Sequence, residues 1–262
     1  MPRVLLASLA LVLAACGSGG GSSSPASPPP PPPPAGTKAD VQILMMGNSH
    51  TSANGLPNMV AALVRAAWPG RTVEAVEAPT WMFLQQRASD PASLALLRST
   101  PWRFVVLQAQ EYSSSGLFDY PIDGAVALVR ESRAVGALPI LFPEWPRAEI
   151  PETQRIYDLH LSIARVAPAC VPPIPQAWDL ARVRLPDIEL HAPDGNHARA
   201  PGSLLAAMVI TATMTGVSPG LFPAIEGVGV DAGVQARLRS VAAETVTVYA
   251  PRTGCPGDAV GP

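Results

Sequence analysis

The chain has 262 residues, 48% of them hydrophobic and 15% charged, with a formal net charge of −2. That balance, with no basic patch and only 5% aromatic residues, excludes a nucleic-acid-binding surface of the usual kind. With a leader and a tether set aside, residues 39–262 suffice for one domain with a sizeable core.

Residues 1–16 read as a targeting segment. Arg3 supplies the positive charge, and Val4 to Leu13 is an apolar run too short to span a bilayer. The segment ends in Leu13-Ala14-Ala15-Cys16, which resembles a bacterial lipobox. That resemblance implies cleavage before Cys16 and lipid attachment to it. With Gly17 next, it also implies an outer-membrane anchor facing the periplasm or the cell surface. The alternative is an ordinary secretory signal with an incidental cysteine. Residues 17–38 form a tether: a Gly/Ser stretch, then the proline run Pro28–Pro34, a polyproline II rod of roughly 20 Å. Such a segment buries no core and serves as a spacer.

Val41 to Met46 is an apolar run of strand length that ends at Gly47, with Ser49 two residues on and a helix over Pro57–Ala67. A buried strand, a turn and a helix place Ser49 at the carboxyl end of a parallel strand, where α/β folds bind ligands. Gly47 permits a sharp turn and close approach of a substrate. Thr72–Ala78 alternates as a half-buried strand and is broken by Pro79-Thr80-Trp81. A helix over Pro91–Arg98, a strand over Arg103–Gln108 and a polar loop follow. A helix over Ile122–Val135 is closed by Gly136. Ala137–Phe142 is a strand, Pro151–Ala167 a helix, and Val171–Pro175 a short edge strand or a loop. Helices over Gln176–Val183, Pro201–Thr215 and Asp231–Val248 complete the chain. Strands alternating with helices favour a mainly parallel sheet covered on both faces, a three-layer α/β/α domain.

A serine hydroxyl needs a base to remove its proton. His197 is the candidate base, and Asp194, three residues earlier, can hold its other ring nitrogen. Ser49 has an alternative role as a helix cap, and His197 as the partner of a loop carbonyl. Cys170 and Cys255 are an even pair in an oxidising compartment and suggest a disulfide that pins the C-terminal tail. His50, next to the serine, is expected to point away from it in a structural or substrate-rim role, and Trp145 to pack on the domain. Glu144 ends the fourth strand at the same sheet edge. Asp187, Glu189, His191 and Asp194 fit no closed zinc spacing, and no glycine-rich phosphate loop follows a strand. No cofactor or metal is expected.

Gly47-Asn48-Ser49-x-Thr51 after the first strand, with Asp194-x-x-His197 near the C-terminus, resembles the SGNH/GDSL hydrolase family. The resemblance covers roughly residues 39–250 and is weak in the middle of the chain. It implies a flavodoxin-like arrangement and a serine esterase with Ser49, His197 and Asp194 as its triad; a monomer is expected. It also implies an oxyanion hole built from the serine N–H, a glycine after the second strand and an asparagine after the third. Here those two positions hold Ala78-Pro79-Thr80-Trp81 and Gln108-Ala109-Gln110-Glu111. The Thr80 region and Gln110 are therefore the expected substitutes, with Gln108 on the same side by alternation. O-acetyl groups on polysaccharide suit the compartment as substrates. The same fold could instead serve a non-catalytic glycan-binding lipoprotein, or an acyltransferase using the same triad.

Overall fold

A computed structural model describes residues 38–259 and Gly261; the leader, Cys16 and the tether over residues 17–37 lie outside the described residues. Four described strands pair in parallel in the order β2-β1-β3-β4: β1 is Val41–Met46, β2 Val73–Glu77, β3 Phe104–Leu107 and β4 Leu138–Leu141. β1 is buried along its whole length, which explains its unbroken apolar sequence. Its alternate residues serve two cores. Val41, Ile43 and Met45 join one, and Leu44 and Met46 the other.

Nine α-helices among the described residues surround the sheet: α1 Ser49–Ser52, α2 Leu56–Ala67, α3 Leu84–Arg87, α4 Pro91–Arg98, α5 Asp123–Ala134, α6 Thr153–Val166, α7 Ile174–Arg184, α8 Ala200–Thr215 and α9 Ala232–Val248. The first core lies under α2, α7, α8 and α9, and the second under α3 to α6. The result is the three-layer α/β/α arrangement expected. α8 is buried at every position from Gly202 to Thr215, because α2, α7 and α9 pack around it. Its Gly202 has no room for a side chain, since a Cβ there would sit 2.6 Å from the Leu190 carbonyl oxygen and against the Trp178 ring.

Of the two readings of Val171–Pro175, the loop holds over residues 171–173: among the described residues a single bridge, Ile140 to Cys170, extends the sheet there. Pro172 and Pro173 have no N–H to donate, and α7 already begins at Ile174. α3 was not foreseen, because one helical turn leaves no periodic signature. Cys170 and Cys255 are joined as a disulfide, both buried. The bond fastens the tail, as does the Arg133–Asp258 ion pair.

The chain winds from β1 outward to β2, then crosses to β3 and β4. The reversal lies between β1 and β3, so the crevice outside their carboxyl ends is where such a sheet accepts a ligand.

Candidate active site

Gly47 follows β1 at that crevice. A Cβ on it would overlap Thr51 Oγ1 and Gln108 Oε1. Close approach by these two side chains, rather than by a substrate, is therefore what requires glycine. Asn48 caps the one-turn helix α1 through its side-chain oxygen, which accepts the His50 N–H at 3.0 Å. The cap role is thus taken by Asn48, and Ser49 is left as the first helical residue with its hydroxyl free to face the crevice.

Gln108, just past β3 and fully buried, ties this turn down. Its Oε1 accepts the Asn48 N–H at 2.8 Å and the Thr51 hydroxyl at 2.9 Å, and its Nε2 donates to Glu144 beyond β4. Arg87 does the same from below. Its buried guanidinium donates to Gly47 O at 2.9 Å and Thr80 O at 2.6 Å. Burial lowers its pKa, opposed by the charges of Asp90 and Glu77.

On the far side of the crevice, residues 192–197 form a tight turn. Gly195 adopts a left-handed φ of 68°. Asp194 Oδ1 accepts the N–H groups of Asn196 and His197, each at 2.9 Å. Its Oδ2 lies 2.6 Å from His197 Nδ1, and His197 Nε2 lies 2.8 Å from Ser49 Oγ. One carboxylate thus closes the turn and orients the imidazole. The ring's hydrogen bond, then the two N–H groups, hold the Asp194 carboxyl far below the usual carboxylate range. An ionised Asp194 fixes the proton on His197 Nδ1 and leaves Nε2 as an acceptor for the serine hydroxyl. Ser49 and His197 are 148 positions apart in the chain, and the fold brings them into contact.

The pocket in front of Ser49 has a volume of about 320 Å³. Its walls include Phe83, Glu111, Tyr112, Tyr120, Glu144, Arg147 and Asn196. Arg147 is held by Glu152, fully buried, whose Oε1 accepts the Arg147 N–H at 2.8 Å, Nε at 3.3 Å and the Tyr112 hydroxyl at 3.1 Å. Burial, then the charges of Glu144 and Glu152, raise the pKa of the Tyr112 phenol.

The expected oxyanion donors are not where the sequence put them. Gln110 lines the pocket, but its amide donates to Glu111 O at 2.9 Å and Pro121 O at 3.1 Å. Strand alternation did not extend to it because Ala109 turns left-handed, with φ 75°. Thr80 is not a pocket residue; it too is left-handed, φ 65°, and its carbonyl points to Arg87. Among the described residues, the Ser49 N–H and the Asn48 Nδ2 have no hydrogen-bond partner within the protein. His50 does not point away: it lines the pocket, as a rim role requires, and stacks on His197. Trp145 is buried, as expected. Asp187, Glu189 and His191 separate, to Arg237, Arg199 and the Pro146 carbonyl.

No protein-family model matches the sequence, and no curated protein does. Solved structures do. A candidate SGNH hydrolase from Slackia heliotrinireducens is 26% identical with a TM-score of 0.54, covering 66% of this chain and 98% of its own. A DUF4886-family protein from Bacteroides uniformis superposes at TM-score 0.57 and 15% identity, covering 80% of this chain and 96% of its own. A candidate GDSL-like lipase from Parabacteroides merdae gives 0.52 at 13% identity, over 68% and 97%.

Proposed function

We propose that this chain, which has the fold of the SGNH/GDSL hydrolases, is a serine esterase acting through an acyl-serine intermediate. The unbroken contact from Ser49 Oγ through His197 to Asp194 carries the reading. His197 Nε2 takes the Ser49 proton as Oγ bonds to the ester carbonyl carbon. The carbonyl oxygen becomes an oxyanion, held by the Ser49 N–H and the Asn48 amide. The carbon–alkoxy bond then breaks, and His197 returns the proton to the departing alcohol. Water repeats the sequence: it gives a proton to Nε2 as it attacks the acyl carbon, the carbon–Oγ bond breaks to release the acid, and Nε2 returns the proton to Ser49 Oγ. Every proton is carried by a group in the pocket.

O-acetyl groups on polysaccharide are the substrate class we favour. The pocket supports this: Glu111 and Glu144 can accept, Arg147 and Asn196 can donate, and Phe83 and Tyr120 are partly exposed aromatic side chains at its wall, a set suited to hydroxylated rings. The proposal includes attachment to a bacterial outer membrane through lipidated Cys16. The test is release of acetate from acetylated polysaccharide and from p-nitrophenyl acetate by wild type, Ser49→Ala and His197→Ala. Turnover by wild type alone is the expected result; equal turnover by all three defeats the reading.

One observation favours a second reading. Gln110 and Thr80 supply no oxyanion donor, which suits a glycan-binding protein without turnover. That reading expects glycan binding that survives Ser49→Ala and no acetate release by wild type. Acyl transfer to a sugar uses the same triad, and competing acceptor alcohols separate it from hydrolysis.

A further inference from the structure

Four rings run in sequence from the core to the His197 imidazole. Trp178 stacks on Trp145 with centroids 4.6 Å apart and planes at 11°. Trp145 lies against His50 at 5.0 Å and 45°. His50 stacks on His197 at 5.0 Å and 23°. The first three rings are buried, whereas the His197 side chain is 37% exposed. The inner rings are also fixed by hydrogen bonds. Trp145 Nε1 donates to the Asn196 carbonyl at 2.8 Å, within the turn that carries His197. The His50 N–H and ring Nδ1 both meet Asn48 Oδ1, at 3.0 and 3.2 Å.

The geometry of His197 shows why a face contact matters. Its two hydrogen bonds, to Asp194 and Ser49, attach at Nδ1 and Nε2 and both lie along the ring's edge. Together they define an axis in the ring plane. Neither opposes rocking of the ring about that axis, and an exposed side chain has room to rock. A ring stacked on its face does oppose it. Such rocking leaves Nε2 in place but turns its lone pair away from the Ser49 hydroxyl, and lost alignment of a reacting group can cost on the order of 100-fold in rate.

We infer that His50 is a positioning residue for the catalytic base: the Trp178–Trp145–His50 column sets the tilt of the His197 ring so that Nε2 meets the Ser49 hydroxyl. This rests on the esterase reading for its kinetic consequence, and on the ring geometry alone for its structural one. What acts is the ring, so phenylalanine should replace it and glutamine, which keeps a polar end without a ring, should not.

The experiment compares wild type, His50→Ala, His50→Phe and His50→Gln in the full chain. With p-nitrophenyl acetate, His50→Ala and His50→Gln should lose roughly 10- to 100-fold in kcat with KM within about threefold. His50→Phe should stay within about threefold of wild type in both. Proton NMR gives a readout independent of turnover. The downfield His197 Nδ1–H resonance, held by Asp194, should broaden or vanish in the alanine and glutamine variants and persist in the phenylalanine variant. If alanine fails to fold, the phenylalanine–glutamine pair carries the comparison. Wild-type kcat and an intact resonance in His50→Gln would overturn the inference, as would a phenylalanine variant as impaired as glutamine. A wild type that turns over no ester but shows the NMR pattern would refute the esterase reading and leave the positioning role standing.

Discussion

Gln108→Leu tests how the serine turn is held. Leucine is similar in size but removes the carboxamide on which the loops after β1, β3 and β4 converge. Two groups then lose their acceptor: the Asn48 N–H, part-buried beside the pocket, and the fully buried Thr51 hydroxyl. Each such group costs about 1–3 kcal/mol, so the loss should be roughly 2–5 kcal/mol after some relaxation. For a domain of this size that is a fall of roughly 5–15 °C in Tm. The loss should reach catalysis as well, because Asn48 immediately precedes Ser49 and contributes to the proposed oxyanion site. A 10- to 100-fold drop in kcat is expected. Thermal melting by circular dichroism and p-nitrophenyl acetate kinetics read both. A variant melting within 2 °C of wild type with unchanged kcat would refute the account of the turn. Gln108→Glu sharpens the test. It keeps the two acceptor contacts but sets a carboxylate against Glu144. A carboxyl pair shares a raised pKa, so the variant should be most stable at acid pH and lose that stability as pH rises.

His160 makes stability depend on pH from a different place. Burial pushes it down to about 4 from 6.5, while Nδ1 donates to the Ile156 carbonyl and Nε2 has no partner. The folded protein keeps it neutral, whereas the unfolded chain takes up a proton below 6.5. Stability should therefore be complete above that pH and fall by about 2–3 kcal/mol on the way to pH 4. Urea titrations of wild type and His160→Gln across this window should diverge; parallel curves would contradict it. Cys255→Ser should lower stability by about 2–4 kcal/mol, since the bond with Cys170 closes a long loop. An unchanged Tm with and without reductant would show that the tail needs no bond.

Much of this arrangement is legible in the sequence, and the limits have physical causes. An apolar run ending in Gly47, with Ser49 after it, dictates the strand and turn because a doubly covered parallel strand has no polar face. The Asp194–His197 spacing suits a turn that one carboxylate can close. Other residues depend on single dihedrals. Ala109 at φ 75° exchanges the roles of Gln108 and Gln110, and alternation cannot foresee a left-handed alanine. Thr80 takes the same conformation and swings its carbonyl to Arg87. His50 stacks on His197, a contact between residues far apart in the chain that no local pattern signals. The Tyr112–Glu152–Arg147 knot joins residues from two separate loops, and no local pattern announces it.

The central claim is that His197 and Asp194 make Ser49 an activated nucleophile. The most direct measurement is peptide mass spectrometry of the protein after incubation with a fluorophosphonate. The account predicts one adduct, on Ser49, formed by wild type and absent from His197→Ala. Well-folded wild type that takes up no label, or takes it up equally without His197, would contradict it.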